Sequence, residues 1–138
     1  MIELIQLNGT DQELLNVTLS EIIECLPIGV DPFWTILEIE GMGCKQKVNV
    51  PIMENIIKNT PNGLHLSLNT IIEIVNNLND VHNLLLIGDE NISKLTRYNS
   101  LEETYSNCAF CLNLFDSSYW EVATSNKEFA DNLVQRLV

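Results

Sequence analysis

The sequence predicts a single α/β (α+β) domain of about six strands in a mostly antiparallel or mixed sheet, packed with about four helices. Three observations predict it. Segments with strand-type alternation are interleaved with segments whose apolar residues recur at helical spacing. Capping-box patterns, in which a hydroxyl and a carboxylate satisfy each other's backbone donors, mark the helix starts. And 138 residues with 46% hydrophobic content suffice for one buried core, so residues 1–138 read as one domain.

Taken in order, Ile2 to Leu7 alternates as a first strand and ends at the turn dipeptide Asn8-Gly9. Thr10-Asp11-Gln12-Glu13 and Thr18-Leu19-Ser20-Glu21 are overlapping helix starts. Leu15, Leu19, Ile22, Ile23 and Leu26 keep helical spacing, and Pro27 disfavours helical geometry just before it. Phe33 to Glu40 alternates as a strand, with Gly41-Met42-Gly43 expected to turn the chain into a hairpin partner over Lys47 to Val50. Pro51 suits the first position of a short helix through Lys58, where its missing N–H would be unpaired anyway. After the turn at Asn62-Gly63, Leu64 to Leu68 is a short strand and Asn69 a cap for a helix from Thr70 to Leu78. Leu84 to Ile87, apolar on both faces, predicts a central strand. Ser100-Leu101-Glu102-Glu103 starts a short helix. Asn107 to Phe115 and Tyr119 to Thr124 form a hairpin across Asp116-Ser117-Ser118, with Phe110, Leu112 and Leu114 sharing a face with Trp120 and Val122. Ser125-Asn126-Lys127-Glu128 caps a closing helix striped by Phe129, Leu133 and Leu137.

Charge narrows the function. The chain carries 19 acidic against 7 basic residues, a net charge of -12. DNA, RNA and anionic membranes demand clustered Lys and Arg, so no nucleic acid and no membrane are expected as partners. A basic protein would be drawn in by long-range attraction. Met1-Ile2-Glu3-Leu4 has neither the positive nor the apolar region of a signal peptide, which makes the cytoplasm the expected location and reduced thiols the expected state of the cysteines. The acidity is uneven: before Lys45 there is no basic residue, while Glu3, Asp11, Glu13, Glu21, Glu24, Asp31, Glu38 and Glu40 all precede it. Glu21 and Glu24 fall on the polar face of the first helix, and Glu38 and Glu40 share one face of a strand. With Glu13, Asp31 and the aromatic Trp34, they are the candidate residues for binding a basic partner. As strand residues, Trp34 and Trp120 are more often core or half-buried than interface anchors.

Chemistry is sparsely encoded. Cys108-Ala109-Phe110-Cys111 has the spacing of a metal or thiol-exchange pair, but it lies in a strand pattern, where residues three apart face opposite ways. Its thiols, with Cys25 and Cys44, read as buried and inert. His65 and His82 stand in unrelated segments with no nucleophile motif beside them. Asp89-Glu90 is the sharper pair, because ligands of open α/β sheets gather at the carboxyl ends of strands. There is no P-loop and no Gly-x-Gly-x-x-Gly. No catalytic residue, metal site or cofactor is therefore expected.

The segment from Leu84 to Val138 resembles small bacterial proteins of toxin-immunity families. The resemblance rests on a central strand, a short capped helix, the hairpin Phe110-Cys111-Leu112-Asn113-Leu114-Phe115-Asp116-Ser117-Ser118-Tyr119-Trp120-Glu121-Val122, and a capped helix. It implies a small acidic protein of a polymorphic-toxin or contact-dependent growth inhibition system, one that masks a basic toxin domain, commonly a nuclease. A secretion-chaperone-like adaptor is the alternative, and a small enzyme using Asp89 and Glu90 a third reading.

Overall fold

Thr18 opens the first helix as its capping box predicts. Its Oγ1 accepts from the Glu21 amide at 3.2 Å, and the Glu21 carboxylate accepts from the Thr18 amide at 3.1 Å. The computed structural model describes residues 2–8, 17–42, 50–77, 80–116 and 118–138. Over these the chain runs β1 (Glu3–Leu7), α1 (Leu19–Ile23), β2 (Phe33–Met42), α2 (Val50–Asn59), β3 (Leu64–Leu66), α3 (Leu68–Asn77), β4 (Asp80–Asp89), α4 (Leu101–Asn107), β5 (Phe110–Phe115), β6 (Tyr119–Thr124) and α5 (Lys127–Leu137). A short 3-10 turn, Ile92–Lys94, lies between β4 and α4.

The strands form one six-stranded sheet in the order β1-β6-β5-β4-β2-β3, antiparallel at every pairing. β4 is central, as its two-sided apolar run requires. The hairpin of β5 and β6 sets Leu112 opposite Val122 and Leu114 opposite Trp120.

Several boundaries move, each for a tertiary reason. Gly41 and Met42 do not turn the chain, because β4 reaches back to Asp80 and Val81 and gives them ladder partners. Val50 begins α2 rather than ending a strand, and the rest of the expected hairpin partner lies outside the described residues. So does the capping box at Thr10. Ser67 rather than Asn69 receives the Thr70 amide, at 3.3 Å, so α3 starts earlier and β3 stops at Leu66. Asn126 rather than Ser125 caps α5, its Oδ1 accepting from the Phe129 amide at 2.9 Å. β5 starts only at Phe110, since Cys108 still closes α4 by donating to the Thr104 carbonyl at 3.1 Å.

Two cores sandwich the sheet. On one face Ile5, Leu7, Trp34, Ile36, Leu84, Leu86, Leu112 and Val122 meet Leu19 and Ile22 of α1, Ile71 of α3, and Phe129 and Leu133 of α5. Each fully buried Leu, Ile or Phe there contributes roughly 1.5–3 kcal/mol. Trp120 is anchored as well as buried, donating from Nε1 to the Val17 carbonyl at 2.9 Å. On the other face the cover is partial: Leu95, Tyr98, Tyr105 and Cys108, from α4 and the residues flanking it, pack on Leu37, Ile87, Cys111 and Ala123. Among the described residues, no helix is long and apolar enough to cross a membrane.

Arg97 locks this partial cover to the sheet edge. Its guanidinium donates to the carbonyls of Thr60 at 3.2 Å, Leu37 at 2.9 Å and Ile57 at 2.5 Å. Leu37 is the extra residue of a register shift in β2, and Ile57 and Thr60 sit where α2 ends, so Arg97 supplies donors to carbonyls at a bulge and a helix end. Arg97→Ala is expected to lower stability by about 2 kcal/mol, and Arg97→Lys to recover only part of it, because a lysine lacks the planar fork. Urea unfolding of the three proteins checks this.

Candidate functional site

The part of the second face that no described helix covers is the candidate site, and strand register builds it. Gln6 pairs with Glu121, Glu121 with Asn113, Asn113 with Leu85, and Leu85 with Glu38, so five side chains stand in one row across five strands. A second row, from the same alternation, holds Tyr119, Phe115, Asn83 and Glu40. Leu85, Phe115, Tyr119 and Asn83 are half-buried, and Glu38 and Glu40 are exposed. The rings of Phe115 and Tyr119 stack with centroids 5.1 Å apart. The result is a weakly polar, aromatic centre with carboxylates at both ends; Glu121 and Glu38 stand three strands apart, roughly 14 Å. These two rows contain no Lys or Arg.

One wall of this face is the segment Arg97–Thr104. Between it and the strands lies a cleft of about 400 Å³, lined by Leu85, Asn113 and Phe115 on the floor, Ser100 and Leu101 on the wall, and Glu38 at its end. A hydrogen-bonded trio fixes the wall: Tyr105 donates to the Glu121 carboxylate at 2.6 Å, and Asn113 Nδ2 donates to the Tyr105 oxygen at 3.2 Å. Burial, and next the bond to Glu121, push the Tyr105 phenol well above its ordinary range. Folding therefore favours the protonated phenol. That contribution is intact below about pH 10, where the unfolded tyrosine starts to ionise, and is lost as pH rises further. The unfolding free energy is expected to fall above that pH, and more shallowly in Tyr105→Phe; equal slopes in the two proteins would refute the assignment.

The expected binding residues divide between the faces. Glu38 and Glu40 belong to the open face. Glu21 and Glu24 lie on or just after α1, which packs on the opposite face, so the sheet separates the two acidic pairs. Glu21 also serves the α1 cap. Asp31 is exposed near the start of β2, beside a second cleft of about 420 Å³. Glu13 lies outside the described residues. Trp34 is only 3% exposed, tilted against Phe110 at 5.9 Å on the covered face, so the aromatic rings of the open face are Phe115 and Tyr119 instead. Glu121, Asn113, Leu85 and Asn83 did not stand out in the sequence. The alternation that turns Trp120 and Val122 inward was the signal for Glu121.

The chemical candidates have structural occupations. Asp89 is 7% exposed and its two oxygens accept from the Asn91 amide at 2.8 Å and the Ala109 amide at 2.9 Å. Glu90 is exposed beside it. His65 Nδ1 hydrogen-bonds Thr35 Oγ1 on β2, and His82 is half-buried in β4. Cys108 and Cys111 do not face opposite ways: Cys108 ends α4 instead of entering the strand, and both thiols lie in the smaller core, buried and free. The hydrogen bond with Cys108, and then burial, push the Cys111 thiol far up, while the same bond draws Cys108 down. Cys25 is buried and free under α1, and burial raises its thiol; Cys44 lies outside the described residues. Among the described residues, no group of three or more His, Cys, Asp and Glu stands where it could hold a metal ion. No protein-family model, no curated protein and no solved structure matches this chain.

Proposed function

We propose that this protein is a stoichiometric inhibitor that binds a basic protein domain and covers its working surface, in the manner of immunity proteins paired with toxin domains such as nucleases. The observation that carries the reading is the open sheet face, where Glu38, Glu40 and Glu121 surround half-buried Phe115, Tyr119 and Leu85. Binding surfaces commonly set aromatic and apolar anchors at the centre and polar groups at the rim. The chain's net charge of -12 adds long-range attraction for a cationic partner. The resemblance of Leu84–Val138 to immunity families points the same way.

The test is to look for a toxin domain encoded beside this chain and to coexpress the two. A one-to-one complex and loss of toxicity are expected. Glu38→Gln, Glu40→Gln and Glu121→Gln together are expected to slow association about tenfold at low salt and to flatten its salt dependence, because they remove steering charge. Glu24→Gln, on the other face, is the control. Unchanged toxicity in the presence of excess protein would end the proposal, and a homodimer that holds an unfolded client would favour the adaptor reading.

A further inference from the structure

The open face also carries a cleft with its own chemistry, and three features of it converge. Asn113 is 8% exposed and lines the floor. Its Nδ2 is engaged by Tyr105, while its Oδ1 takes part in no hydrogen bond among the described residues. Leu85 and Phe115 add flat apolar surface, and the Phe115 ring is held by its stack on Tyr119. Glu38 stands at the end of the cleft and forms no ion pair or hydrogen bond among the described residues. Arg97 lines the same cleft, but its guanidinium is directed to the three carbonyls at the end of α2 and the β2 bulge, which leaves Glu38 as the carboxylate of the lining.

We infer that this cleft seats an arginine side chain of the partner protein, an inference that rests on the inhibitor reading above. A guanidinium matches each feature: its planar fork donates at once to a carboxylate and an amide oxygen, its face stacks on an aromatic ring, and its methylene stem lies on apolar surface. An ammonium makes a point contact with Glu38 alone and does not stack in the same way. A volume of about 400 Å³ accommodates one such side chain together with adjoining backbone of the segment that carries it.

The experiment titrates the isotope-labelled full chain with two capped tripeptides, acetyl-Gly-Arg-Gly-amide and acetyl-Gly-Lys-Gly-amide, at low salt. The arginine peptide is expected to give saturable amide shifts at Leu85, Asn113 and Phe115, with about fivefold tighter binding than the lysine peptide. Glu38→Gln and Asn113→Leu are each expected to weaken arginine-peptide binding about fivefold, with spectra unchanged away from the cleft. Should Asn113→Leu fail to fold, Glu38→Gln decides, because Glu38 is exposed and holds no partner among the described residues. Equal response to the two peptides, shifts centred on α1, or indifference to Glu38→Gln would each overturn the inference. A toxin domain that binds equally well to Glu38→Gln sinks the cleft and leaves the inhibitor reading standing. A positive titration with no toxin bound does the reverse.

Discussion

Gly63→Ala is expected to lower the unfolding free energy by about 3–4 kcal/mol, from roughly 1 kcal/mol of left-handed backbone strain and roughly 2–3 kcal/mol of overpacking. Gly63 has φ +79°, and an added Cβ would stand 2.6 Å from the Ile36 carbonyl oxygen, 2.7 Å from Thr35 Cγ2 and 2.8 Å from Leu37 Cδ2. The nearest of these is main chain of β2, which is paired on both sides by β3 and β4 and cannot yield locally. The turn itself is also pinned, since Thr96 Oγ1 donates to Asn62 Oδ1 at 2.6 Å. Gly29 separates the two effects. It has φ +87° with nothing within 4 Å of an added Cβ, so Gly29→Ala should show the strain alone, about 1 kcal/mol. Urea midpoints of the two variants measure the difference, and equal losses would disprove the close approach.

Asp89→Ala is expected to cost about 3 kcal/mol, because it leaves the partly buried Asn91 and Ala109 amides without their acceptor. The Asn91 bond shapes the turn that leaves β4, and the Ala109 bond joins the exit of β4 to the entry of β5. Asp89→Asn keeps one acceptor oxygen and should lose about half as much. A carboxylate placed there for chemistry rather than for folding would give the opposite result, with stability held or raised on its removal. Denaturant unfolding of the two variants distinguishes the cases.

Much of the fold was legible because its signals are local. The alternation in Phe33–Glu40, the two-sided apolar run of Leu84–Ile87, the Thr18 capping box and the β5–β6 hairpin each arise within a few residues of chain, where backbone geometry and side-chain spacing decide the outcome. Gly63 was visible as a turn residue for the same reason. Its contact with Ile36 was not, since that depends on β3 lying against β2. Residues near element ends shifted for a related cause: Gly41 and Met42 gained strand partners from a β4 longer than its apolar run, and Cys108 stayed with α4.

The candidate site divides along the same line. Sequence alone determined that the chain is acidic before Lys45, that Glu38 and Glu40 share a strand face, and that Trp120 and Val122 share a face of the closing hairpin. Tertiary structure alone decided that Glu38 and Glu121 stand in one row with Asn113 and Leu85 between them, that Glu21 and Glu24 lie across the sheet from that row, and that Trp34 is core. The reason is physical. A strand's period of two assigns each side chain to one of two faces, but which strands become neighbours, and which face a helix covers, is set by burial of apolar surface between segments far apart in the chain.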